Sequence, residues 1–90
     1  LKYKPFYYNN DPIIITAKSY DDNFNFDTKA QLELTIKNKK KAIPFYLRDN
    51  SYEVKMNDLE SGEYQFSVAN KLNNEKQNGS FFVAEYAVEQ

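Results

Sequence analysis

Apolar and polar residues alternate with a period of two along most of the chain, and no segment holds a helical period for three turns. The cleanest run is residues 31–37, where Leu32, Leu34 and Ile36 share one side and Glu33, Thr35 and Lys37 the other. Ile13, Ile15 and Ala17 oppose Ile14, Thr16 and Lys18 in the same way, and Tyr52, Val54 and Met56 oppose Glu53, Lys55 and Asn57. Further on, Tyr64, Phe66 and Val68 keep one face, as do Phe81 and Val83. Two more runs, 2–8 and 42–48, carry Pro5 and Pro44. Proline has no N–H to give a ladder, so both belong at sheet edges. The pattern therefore predicts seven strands: 2–8, 13–20, 31–37, 42–48, 52–57, about 64–70 and about 76–84. Tyr20 is out of phase with Ala17, and a bulge is expected to return it to the core face.

The connections carry turn chemistry. Asn9–Pro12, Asp49–Ser51 and Leu72–Glu75 supply Asn, Asp, Ser and Pro where the chain must reverse. Residues 21–30 form a long polar connection with Phe24 and Phe26 embedded in it. Short strands separated by turns every 8–12 residues or so fit two antiparallel sheets packed as a sandwich. A five-stranded OB-type barrel is the weaker alternative, because it would have to merge or discard strands.

The stretch from Leu59 to Val68 organises this reading. Leu59 precedes a turn at Ser61-Gly62, and Tyr64 opens the strand that follows. That spacing is that of a tyrosine corner, in which a tyrosine hydroxyl bonds to backbone just upstream where the chain crosses between sheets. Leu59-x-x-Gly62-x-Tyr64-x-Phe66-x-Val68 with Gly79-x-Phe81-x-Val83 resembles the last three strands of immunoglobulin-like or fibronectin-III-like domains. The similarity is greatest to copies in bacterial envelope and surface proteins of the Bacteroidetes type, and Ile15-x-Ala17 and Tyr20-Asp21 fit it too. The resemblance implies a seven-stranded antiparallel Greek-key sandwich over residues 1–84, with 85–90 as an exit segment. It also implies a module outside the cytoplasm that serves as spacer, adhesion segment or accessory domain. Leu59, Gly62 and Tyr64 have structural roles in it.

Ninety residues make one domain, hiding about 60–65% of the surface the unfolded chain exposes. Seven Phe and eight Tyr compensate with large buried areas. Twelve basic against thirteen acidic residues leave a net charge of −1, so no strong field draws the chain to nucleic acid or anionic membrane. Without Cys or His there is no disulfide, no thiolate, and neither the commonest general base nor the commonest metal ligand. No apolar run is long enough to span a bilayer and no basic-then-apolar leader opens the chain. Because the first residue is Leu rather than Met, the chain is expected to be processed or cut from a longer one.

Four candidate features carry chemistry. Asp21-x-Asn23-x-Asn25-x-Asp27 spaces oxygen ligands like a calcium loop, but Phe26 and Leu32 stand where an EF-hand needs Gly and Glu. Turn formation is the favoured explanation, with a looser oxygen site left open. Lys39-Lys40-Lys41 reads as a solvated hairpin tip ahead of a phosphate or lipid grip. Tyr7, Tyr46, Phe82 and Tyr86 are expected at accessible positions, and Tyr46, Phe82 and Tyr86 are the candidate ligand or partner surface. Asn78-Gly79-Ser80 matches an N-glycosylation sequon. No catalytic, metal or cofactor-binding set is expected. The expected partners are neighbouring domains of the parent chain or another envelope protein, with neither nucleic acid nor direct membrane insertion. A carbohydrate-binding module using exposed aromatics is the alternative.

Overall fold

A computed structural model describes residues 1–37, 39, 42–57 and 59–86. Among them are eight strands and no helix: β1 Phe6–Tyr8, β2 Ile13–Ala17, β3 Leu32–Ile36, β4 Ala42–Pro44, β5 Tyr46–Arg48, β6 Ser51–Met56, β7 Gly62–Asn70 and β8 Lys76–Ala84. They form a five-stranded sheet in the order β1-β8-β7-β3-β4 and a three-stranded sheet in the order β2-β6-β5. The two sheets enclose one core as a β-sandwich. Ile13, Ile15, Tyr52, Val54 and Met56 enter it from the smaller sheet, and Leu34, Ile36, Phe66, Val68, Phe81 and Val83 from the larger. Phe81, Ile13, Ile15, Leu34 and Val54 are fully buried, and each such side chain contributes about 1.5–3 kcal/mol. These are the positions that strict alternation assigns to one side of each strand.

Eight strands replace the expected seven because residues 42–48 serve both sheets. Pro44 pairs opposite Glu33, and the Phe45 N–H still bonds the Leu32 carbonyl at 2.9 Å. From Tyr46 onward the chain pairs with β6 in the other sheet. Proline can end a ladder at no hydrogen-bonding cost, so the crossing falls directly after Pro44.

The first strand divides by the same logic. Lys2 and Thr16 exchange backbone bonds of 2.8 and 3.0 Å, while the Phe82 N–H bonds the Pro5 carbonyl at 2.9 Å. Beyond Pro5 the chain keeps its direction and meets β8 running the same way, so β1 and β8 are parallel. This corrects the all-antiparallel expectation at one edge. Tyr7 bridges the crossing: its hydroxyl accepts from the Lys4 N–H at 2.8 Å and donates to the Ile14 carbonyl at 3.4 Å. With that role Tyr7 is buried, not accessible as its sequence context suggests. Tyr20 is corrected in the opposite sense. No bulge returns it to the core; it pairs with Phe26 and packs edge-on against that ring, 56% exposed.

The Leu59–Tyr64 crossing carries the expected bond, with the Tyr64 hydroxyl donating to the Glu60 carbonyl at 2.6 Å. Its ring stacks on Phe81 at 5.4 Å, and Leu59 packs against the core. Gly62 has φ 151°, a conformation that side chains other than hydrogen rarely tolerate. At the opposite pole the Asn70 carboxamide, buried at the end of β7, accepts from the Leu72 N–H at 3.1 Å and so holds the hairpin to β8. Asn74 takes the left-handed conformation in that turn.

Candidate functional site

Alternation on the five-stranded sheet sends every second side chain outward, and strand order then decides which of these become neighbours. Phe6 and Phe82 are register partners across β1 and β8, both on the outer face. Tyr8 lies two residues beyond Phe6, and their rings meet edge-on at 5.1 Å. Tyr86 completes the run against Tyr8 at 5.4 Å, fixed by a 3.1 Å bond from its N–H to the Asn9 side-chain oxygen. Phe6, Tyr8, Phe82 and Tyr86 are each 42–53% exposed, so this is a contiguous apolar surface at one corner of the sheet.

Two of the three residues anticipated as a ligand or partner surface, Phe82 and Tyr86, therefore come together. Tyr46 does not join them. It lies on β5 opposite Glu53, exposed on the other sheet. Phe6 and Tyr8 belong to the surface but escape a sequence reading. Three aromatics in a row offer no periodic signal for which one faces inward, and only the burial of Tyr7 settles it.

Beside the aromatic corner the same face turns polar. Thr35, Gln65, Ser67, Asn78 and Ser80 line a shallow trough of about 570 Å³ across β3, β7 and β8. Register sets Gln65 against Ser80, and Ser67 against both Asn78 and Thr35. None of these five side chains makes a hydrogen bond to another described residue. Lys37 and Lys76 are the charged side chains of the lining, at opposite corners. Phe82 stands two residues beyond Ser80 on β8, so the trough runs into the aromatic corner.

The other candidates resolve into turn and loop structure. The Asp21 carboxylate accepts from the N–H groups of Asn23 and Asn25 at 2.9 and 3.0 Å, and the Asp27 carboxylate from Lys29 at 2.9 Å. Among the described residues no group of three or more Asp and Glu side chains is placed to hold a metal ion. The loop instead presents Phe24, 87% exposed, at φ 63°. Its far end is anchored by Tyr52, whose buried hydroxyl donates to the Asp27 carbonyl at 2.6 Å and accepts from the Ala30 N–H at 3.1 Å. Burial, reinforced by the Asp27 charge and partly offset by the Ala30 bond, holds the Tyr52 hydroxyl above the ordinary tyrosine pKa. Burial and then Glu60 do the same for Tyr64. Of the lysine tip, Lys40 and Lys41 lie outside the described residues, as do residues 87–90 of the exit segment.

No family model matches the chain, and no curated protein does. Among solved structures, the chain is similar to a crystal structure of a candidate glycoside hydrolase from Bacteroides vulgatus, with a TM-score of 0.69 and 15% identity. The match covers 93% of this chain and 17% of that protein, so the chain corresponds to about a sixth of its length. At this identity the likeness is one of fold.

Proposed function

We propose that the chain is a non-catalytic, immunoglobulin-like module of a larger extracytoplasmic protein, and that it spaces and orients the domains on either side. The observation that carries this reading is the placement of its first and last described residues. Leu1 lines a cavity with Ser19, Asn70 and Glu75 at the hairpin pole, whereas Tyr86 is bonded to Asn9 at the other. The nine residues of β8 separate the poles by roughly 30 Å. The first and last described residues thus stand at opposite poles, an arrangement that suits a neighbour at each end, as in a string of beads. The strand order supports the immunoglobulin-like assignment: the first segment and residues 42–48 each serve both sheets, and a tyrosine corner joins β6 to β7. The match to one sixth of a larger chain supports an accessory place in a multidomain protein, a glycan-acting one among the candidates.

The aromatic corner suits a neighbouring domain better than a sugar platform. Phe6, Tyr8 and Tyr86 meet at interplanar angles of 87° and 85°, so successive ring faces do not lie in one plane. It also includes Tyr86, the last described residue. A tandem of two copies tests the reading by small-angle X-ray scattering. An elongated pair is expected, with a radius of gyration well above the 14.4 Å of one copy, and Tyr8→Ala with Tyr86→Ala should broaden the distribution of shapes. A compact side-by-side pair would refute the spacer role.

A further inference from the structure

The outer face of the five-stranded sheet holds more than a contact for a neighbour. Where strands β3, β7 and β8 run side by side, five outward positions in succession carry short, neutral hydrogen-bonding groups: two hydroxyls from Ser, one from Thr, and the carboxamides of Gln65 and Asn78. The outward faces of β2 and β6 mix Thr16 with Ile14, Glu53 and Lys55, and the Thr16 hydroxyl donates to the Lys2 carbonyl at 3.5 Å. Carboxamides and hydroxyls both donate and accept, as sugar hydroxyls do, and in the trough their capacity is unspent among the described residues. Short side chains flanked by Lys37, Lys76 and Phe82 make the surface concave along β8.

Charge then selects the kind of sugar. Among the described residues, Lys37 and Lys76 line the trough and no carboxylate does. Neither lysine forms an ion pair with another described residue. Acids stand at the margins: Glu33 is held by Lys71 at 3.8 Å, Glu63 lies opposite Phe82 at the aromatic end, and Glu75 precedes Lys76. Two strand spacings and four residues separate the lysines, a diagonal of roughly 16 Å that several linked sugar units would span. Phe82 takes no part in the edge-on run of rings, and its exposed ring is available at the end of the trough for the apolar face of a pyranose.

We propose that this trough binds an acidic polysaccharide, a chain of uronate-bearing sugars, with Gln65, Ser67, Asn78 and Ser80 bonding its hydroxyls. In this arrangement Lys37 and Lys76 pair with carboxylates two or more units apart, and Phe82 stacks on a terminal ring. The site shares Phe82 with the aromatic corner, but one module suffices for it and the run of Tyr8 and Tyr86 is not used, so it can be tested without a neighbouring domain.

Affinity electrophoresis of the ninety-residue chain, made in bacterial cells so that the Asn78 sequon stays bare, tests the proposal. Gels would contain polygalacturonate, alginate, a neutral dextran or poly(dT). Retardation by a polyuronate that weakens with salt is expected, with little by dextran or poly(dT). Gln65→Ala with Asn78→Ala should lower the affinity about tenfold, the loss of one or two good hydrogen bonds. Lys37→Gln with Lys76→Gln should remove the salt dependence, while Tyr8→Ala with Tyr86→Ala should leave binding unchanged. All these positions face solvent, and unchanged melting would show that the variants fold. Equal retardation by poly(dT) and polyuronate would reduce the effect to cation exchange and overturn the proposal. So would binding that survives Gln65→Ala with Asn78→Ala, or no retardation by either polyuronate.

Discussion

Tyr52→Phe isolates one hydroxyl that joins the core to the long loop. The ring is 3% exposed and stacks on Phe26 at 5.6 Å, contacts that the substitution keeps. What goes is the 2.6 Å bond to the Asp27 carbonyl and the 3.1 Å bond from the Ala30 N–H. Each is worth about 1 kcal/mol net, and a half-buried partner left unpaired costs more, so a loss of about 2–3 kcal/mol is expected. For a domain of this size each kcal/mol lowers Tm by roughly 4–8 °C, giving a drop of roughly 10–20 °C. Urea titration should show a shifted midpoint with an unchanged slope, and the Ala30 amide should exchange faster with solvent. Tyr64→Phe is the matched comparison. Its hydroxyl also sits 2.6 Å from a carbonyl, but Glu60 is exposed and water can take over, so about 0.5–1 kcal/mol is expected. If Tyr64→Phe costs as much as Tyr52→Phe, burial of the partners is not what sets the energy, and the reasoning fails.

Two further outcomes follow from the same geometry. Both Tyr52 and Tyr64 have their pKa raised in the folded chain, so their neutral forms are favoured there. Their contribution is fully present below the ordinary tyrosine pKa near 10 and is lost as pH rises through the folded values. Stability measured by urea titration should therefore fall above about pH 10, and less steeply in Tyr52→Phe; an equal fall in that variant would assign the effect elsewhere. Gly79→Ala should destabilise by about 1–3 kcal/mol, because its new Cβ would lie 2.5 Å from Phe66 Cζ and 2.7 Å from the Tyr3 hydroxyl oxygen. A midpoint equal to that of the parent chain would mean that the Tyr3–Phe66 edge contact, at 5.1 Å, yields freely.

Legibility in the sequence tracked how local the cause was. Ile13, Leu34, Val54, Phe66 and Phe81 could be assigned to the core from parity alone, since side-chain direction in a strand follows from position. The Tyr64 bond spans four residues and could be read from spacing. Pro5 and Pro44 were read as edge residues, yet what they mark is larger: each stands where the chain passes from one sheet to the other. A proline shows that a ladder must stop but not where the next begins.

The candidate surface shows the same divide. Phe82 could be called outward from its neighbours Phe81 and Val83, whereas Tyr46 and Tyr86 looked equivalent until strand order put them on different sheets. Phe6 and Tyr8 were hidden because Phe6-Tyr7-Tyr8 has no polar residue to break the symmetry. Each trough residue was legible as outward, and the trough itself was not.

By itself, then, the sequence determined an all-β chain, the inward side of nearly every strand, its turns, and the bond that Tyr64 makes. Alternation, turn propensity and short-range geometry are properties of neighbouring residues. Only the tertiary structure decided that two segments cross between sheets, that β1 runs parallel to β8, that Tyr7 is buried, and that Gln65 meets Ser80 beside Phe82. Those outcomes depend on which distant strands pair, and pairing is set by how the whole core closes.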